Sequence, residues 1–292
     1  MRQTRRDLLR TTGAALLVGG LAGCNEANSA STTETGGSAD ASGSAGSTST
    51  AESTSSTAAA EATVETAVAA EWSAMRARLF DAVALGTAGS FADGARVAQH
   101  VFARFEQSSG EWGAHEQLEE TNERLYESFE SNLGELRSAL EAGSLDEARD
   151  AASDADQALQ SAIRGRTDTR TAAAFDLQLL GPRVKNAAVV APVDADAAVT
   201  VAERAMAAFE ASEAYDAVEE ADAESYGAFE GAVETVVDTA GSGDVEAAQS
   251  AADDALAAAV TGSYAVAGTP AVAGTGHLST YQAEAFDAAA LS

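Results

Sequence analysis

From about residue 62 onward, apolar residues recur every three to four positions, and no stretch alternates apolar with polar at every second position. A period near 3.6 marks helices and a period of two marks strands, so the pattern predicts an all-α chain. The first helix is expected from Val64 to about Leu85, ended by Gly86. A second runs from Phe91 to Phe105, with Ala95, Ala98, Val101 and Phe102 on the same face. A third starts near Trp112 and strings Leu118, Leu125, Phe129, Leu133, Leu136 and Leu140 along one stripe up to Gly143. Ser144, with Glu147 three residues later, reads as a capping box that opens a fourth helix to about Ile163.

The order then repeats. Phe80-Asp81-Ala82-Val83-Ala84-Leu85 returns as Phe175-Asp176-Leu177-Gln178-Leu179-Leu180, and Phe105-Glu106 as Phe209-Glu210. Tyr126-Glu127-Ser128-Phe129-Glu130 returns as Tyr226-Gly227-Ala228-Phe229-Glu230, and Gly143-Ser144-Leu145-Asp146 as Gly241-Ser242-Gly243-Asp244. Landmarks in one order at nearly one spacing mark an internal duplication. The expected architecture is two pseudo-repeated up-and-down bundles of about four helices each, over 61–165 and 166–262. Gly181-Pro182 and Pro192 are expected to make the first connection of the second copy longer and less regular. Residues 263–292 read as a Gly/Ala-rich connector and a short C-terminal helix, where Phe286-Asp287-Ala288-Ala289-Ala290-Leu291 gives the first motif a third time.

The N-terminal part has a different pattern. Residues 25–60 are Ser, Thr, Gly, Ala and a few acids, with no aromatic or large aliphatic residue. Such a segment buries too little apolar surface to offset its ordering entropy, so a disordered stalk is expected over 24–60, reaching about 33 Å. Ahead of it, Thr4-Arg5-Arg6-Asp7-Leu8-Leu9-Arg10, a short apolar run and Leu21-Ala22-Gly23-Cys24 have the form of a twin-arginine lipoprotein signal over 1–23. Arg5 and Arg6 would address the chain to the twin-arginine export machinery. Cys24, the sole cysteine, would carry lipid and tether the protein to the extracytoplasmic face of the membrane.

Charge narrows the function classes. Lys and Arg number 17 against 46 Asp and Glu; beyond the leader, 13 basic and 45 acidic residues remain. A surface this acidic repels nucleic acid, whose binding needs clustered Lys and Arg. Lys185 is the only lysine, and acids are spread along every segment after residue 60, the composition of a solvated surface whose self-repulsion high salt screens; the competing reading is a surface for calcium or a cationic ligand. With Cys24 committed to lipid, no thiol remains for a disulfide, a zinc site, a nucleophile or a blue-copper centre.

Few residues invite chemistry. His115 with Glu111 and Glu119 at four-residue spacing would share a helix face, as a helix-borne metal site requires. His115 also stands three residues before Leu118 on the apolar stripe, as Tyr215 stands before Val218, which fits packing at a core end. Asn122 and Asp222, one hundred residues apart, are the polar pair on that stripe, candidates for fixing helix register or for touching a ligand. No Ser–His–Asp order, phosphate loop or paired acid in an apolar setting stands out, so no enzyme is expected.

The stretch from Trp72 to Leu159, above all Ala77-Arg78-Leu79-Phe80-Asp81 and Gly113-Ala114-His115-Glu116-Gln117-Leu118-Glu119-Glu120-Thr121, resembles a haloarchaeal lipoprotein family of unknown function. Its helical region often precedes a halocyanin-type blue-copper domain; this chain is expected to lack that domain, so any electron transfer would be a partner's. Gly113-x-His115 is also similar to the Gly-x-His-x-x-Glu of imelysin-like iron-uptake lipoproteins, with Leu118 where the glutamate stands. The expectation is therefore a helical binding or scaffold lipoprotein of a halophilic archaeon, with no cofactor and with room for an extracytoplasmic protein partner. The alternative is a module handling iron, copper or haem for uptake or for a blue-copper redox partner.

Overall fold

The structure, a computed structural model, describes residues 63–291, with side chains as far as residue 282; the expected leader, stalk, Arg5, Arg6 and Cys24 lie outside the described residues. Among the described residues there are eleven α-helices and no strand: α1 Val64–Thr87, α2 Phe91–Gln107, α3 Ala114–Thr121, α4 Glu123–Ala142, α5 Leu145–Arg166, α6 Thr169–Val190, α7 Ala195–Glu210, α8 Glu213–Ala221, α9 Ala223–Ser242, α10 Val245–Ala267 and α11 Pro270–Leu291. The all-α expectation holds.

In the first half α1 packs on α2 and α5, α2 on α4, and α4 on α5; in the second, α6 packs on α7 and α10, α7 on α9, and α9 on α10. Each half is thus a ring of four long helices with one short helix added. The short ones correct the sequence reading, which ran a single helix from Trp112 to Leu140. Asn122 breaks that helix: its backbone is extended (φ −168°), and its side chain accepts from the N–H groups of Arg124 and Leu125 to start α4. Asp222 does the same for α9, accepting from the Ser225 N–H. A side chain that caps the backbone competes with helix continuation, and here it wins.

The far ends match as well. Gly143 (φ 75°) and Gly243 (φ 79°) close α4 and α9 in the left-handed region, where a Cβ is strained. The equivalent of Gly143 is therefore Gly243, two residues beyond the Gly241 that the sequence aligned with it. Ser144 is the N-cap of α5, as expected, but it caps by position alone, without the side-chain bond of a capping box.

An aromatic cluster appears twice. Phe105 meets His115 at 4.9 Å between ring centroids and Phe129 at 4.9 Å, while His115 and Tyr126 stand edge-on at 5.1 Å. Phe209 meets Tyr215 at 5.2 Å and Phe229 at 5.0 Å, with Tyr215 edge-on to Tyr226 at 5.1 Å. Tyr126 Oη bonds His115 Nε2 at 3.2 Å in one half, and Tyr226 Oη donates to Tyr215 Oη at 2.5 Å in the other.

The halves share a polar seam along α1 and α6. Arg76 contacts Asp176, Arg183 lies over Phe80, and Asn186 donates to Asp81, so the two helices run parallel. Phe175 and Ala172 of α6 belong to the core of the first half, and a smaller cluster joins Ala84 of α1 to Val190, Ala198, Ala240 and Ala248. Contrary to expectation, α6 passes unbroken through Gly181-Pro182. Pro182 withholds one helical N–H, but α6 is buried on several sides, and packing overrides local propensity. A Cβ on Gly181 would come within 2.6 Å of Leu256 Cδ1, so the glycine lets α6 and α10 close on each other.

The expected connector is also largely helical. It shrinks to Gly268 and Thr269 between α10 and α11. The C-terminal helix is not short: α11 has 22 residues, packs along α1 and reaches α6 and α10.

Candidate functional site

Charged side chains collect where α1, α5, α6 and α7 meet. Arg76 enters from α1, within the buried run from Trp72 to Leu79, and its side chain is 2% exposed. A buried guanidinium needs acceptors for its donors, and two carboxylates supply them: Asp156 of α5 from Nε at 2.7 Å and Asp176 of α6 from Nη1 at 2.7 Å. Asp156 also takes Arg183 Nη2 at 3.0 Å, and Asp176 takes Gln160 Nε2 at 3.2 Å and Arg164 at 3.5 Å. Burial would raise the Asp156 carboxyl, but Arg76 and then Arg183 outweigh it and hold it below the usual range. The Arg183 guanidinium is pulled down by burial despite Asp156, and it lies 3.5 Å over the Phe80 ring.

This charged floor opens into a cavity of about 620 Å³. Arg76, Arg149, Arg164, Arg183 and Arg204 line it with Asp146, Asp150, Asp156 and Asp176. Phe80, Val83, Leu179, Leu180 and Val201 form its apolar wall. Five of the thirteen basic residues beyond the leader thus converge on one cleft, against four acids, in a chain of net charge −29. The cleft is locally positive on an acidic protein. Its size suits a small organic ligand.

The residues singled out from the sequence lie elsewhere. His115 sits in the first aromatic cluster, with Glu106 Oε1 3.6 Å from Nε2 and Glu116 Oε2 3.9 Å from Nδ1. Glu111 lies in the turn before α3 and contributes its backbone carbonyl to Gln117; Glu119 is exposed. Because α3 begins only at Ala114, Glu111 falls outside the helix that carries His115 and Glu119, and the three-residue face does not form. Among the described residues, no group of three or more His, Cys, Asp or Glu side chains is placed to hold a metal ion. Asn122 and Asp222 are helix caps rather than core polar residues; the Ser225 hydroxyl and N–H hold the Asp222 carboxyl below its usual range.

The cleft was missed because its parts lie up to about 130 residues apart and only the seam brings them together. One signal was available: Arg76 stands in a run where every neighbour from Trp72 to Leu79 is buried, so it needed buried acids. His277 was also passed over. Its Nε2 lies 3.1 Å from Ser263 Oγ, its ring stacks on Tyr264 at 5.4 Å, and burial lowers its pKa to about 4. Ser263 is fully buried, and its hydroxyl also lies 2.7 Å from the Val260 carbonyl.

No helix among the described residues is long and apolar enough to cross a membrane. No curated protein and no solved structure matches the chain. One family model does, described as a domain of unknown function, DUF5059, and it matches residues 67–292. That span takes in both helical rings, the seam and the cleft, and on it the chain belongs to the DUF5059 family.

Proposed function

We propose that the chain is an exported, lipid-anchored binding protein of a halophilic archaeon, which holds a small ligand in the cleft between its two helical rings and carries out no catalysis. The convergence of five arginines on that one cleft carries the reading. Most basic residues of an acidic protein pair with surface acids, as Arg96 does with Asp93 and Arg137 with Glu141; drawing five into one concavity has a cost that ligand binding accounts for. The address rests on Arg5, Arg6 and Cys24: leader removal before Cys24 and lipid on its thiol would leave the folded part on a stalk outside the membrane.

Native mass spectrometry of the protein taken from membranes in molar salt tests the binding role. A small organic molecule should accompany the chain and be absent from Ala208→Trp, which fills the cleft. Its presence at the same level in Ala208→Trp would overturn the assignment. Stoichiometric iron or copper lost on His115→Ala would favour metal handling instead. Cys24→Ser should release the protein from membranes, and Arg5→Lys with Arg6→Lys should block export. A Cys24→Ser protein that stayed membrane-bound would refute the anchor.

A further inference from the structure

The floor and the rim of the cleft differ in what they leave free. Asp156 accepts from Arg76 and Arg183, and Asp176 from Arg76 and Gln160, so the floor acids offer little to a cation. Guanidinium donors are in surplus. Arg204 makes no hydrogen bond or ion pair among the described residues, and Arg183 Nε is buried without a partner. Arg164 holds Asp176 only at 3.5 Å, beyond the 2.7–2.9 Å or so of a charge-assisted bond. Unfilled donors of this kind select an anion with planar oxygens. The five arginines exceed the four aspartates by one, which matches a single negative charge. The wall of Phe80, Val83, Leu179, Leu180 and Val201 selects an apolar body. In molar salt the Debye length is about 3 Å, so a bare anion gains little, whereas burial of apolar surface is not screened.

We propose that the ligand is a monocarboxylate with an aliphatic or aromatic body, its carboxylate held at the rim by Arg204 and Arg164 and its body against the Phe80–Leu180 wall. This rests on the binding reading above and names the chemistry of that site.

The test is calorimetric titration of the full chain in molar KCl with butanoate, hexanoate and octanoate. Affinity should rise about fourfold per methylene, as buried apolar surface requires. Octanol lacks the charge and inorganic phosphate lacks the body; each should bind at least about tenfold more weakly than octanoate. Arg204→Ala and Arg164→Gln, both at solvent-exposed side chains, should each weaken octanoate about tenfold with an unchanged circular dichroism spectrum. Phosphate binding as tight as octanoate, or octanoate binding untouched by both variants, would overturn the proposal. Leucine binding more tightly than hexanoate would overturn it in favour of a zwitterion, its ammonium on Asp150. Octanoate binding that survives Ala208→Trp would place the molecule outside the cleft and refute the assignment. If none of the carboxylates binds while Ala208→Trp still removes a copurified molecule, the ligand class falls and the binding reading stands.

Discussion

At the scale of the residue, the paired aromatic clusters make a sharp comparison. Tyr215 does in one half what His115 does in the other, a ring against Phe and an edge against Tyr with its polar atom bonded to the Tyr hydroxyl. His115→Tyr should therefore cost less than about 1.5 kcal/mol in chemical denaturation, as a shape-compatible exchange. Phe129→Ala and Phe229→Ala, both buried at the centre of their clusters, should each cost about 3–5 kcal/mol. A large loss for Phe129 beside a near-neutral Phe229 would show that the second ring contributes little. His277 gives a prediction in pH. Its folded pKa lies near 4, below the unfolded value of about 6.5, so the unfolded chain binds the proton first as pH falls. The native advantage of neutral His277 is present above pH 6.5 and drains away between 6.5 and 4, by roughly 2 kcal/mol once solvent screening is allowed for. His277→Gln should flatten that part of the stability profile relative to the parent chain when both are unfolded by denaturant in molar salt; equal slopes would refute the assignment.

At the scale of the element, the hydrophobic period located the long helices of the first ring, and the repeated landmarks carried that reading to the second. The errors fell where one backbone group decides the outcome. The apolar stripe runs smoothly across Asn122, and only its extended backbone reveals the break before α4. The glycines and prolines of the second copy misled in the opposite direction. Gly181-Pro182 reads as a connection, yet α6 continues, because what the glycine supplies is room for Leu256 rather than a turn. Gly181→Ala, a favourable change by helix propensity, should then destabilise by about 1–3 kcal/mol through overpacking between α6 and α10. A gain in melting temperature for Gly181→Ala would mean that the two helices do not approach so closely. The cleft was still less legible, since hydrophobic period carries no information on which helices become neighbours. His115, Glu111 and Glu119 looked like a site because they are close in sequence; Arg76, Arg164, Arg183 and Arg204 line one cleft because α1, α5, α6 and α7 are close in space.

At the scale of the whole molecule, charge and topology act together. A net charge of −29 on a fold rich in small alanine contacts leaves self-repulsion poorly opposed in dilute buffer. The helical circular dichroism signal should fall below roughly a few hundred millimolar salt and return in molar KCl. Full helicity in low salt with an unchanged melting temperature would contradict this. Topology adds a constraint of timing. The last helix, α11, packs along the first, α1, although 183 residues separate Thr87 from Pro270. At a synthesis rate of roughly 5–20 residues per second, α1 would leave the ribosome about 10–40 s before the helix that covers it. One flank of α1 thus stays open until α11 has been made, and the fold described here first exists only then. Anything that acts on the growing chain meets α1 uncovered, and anything that needs the closed fold must wait for α11.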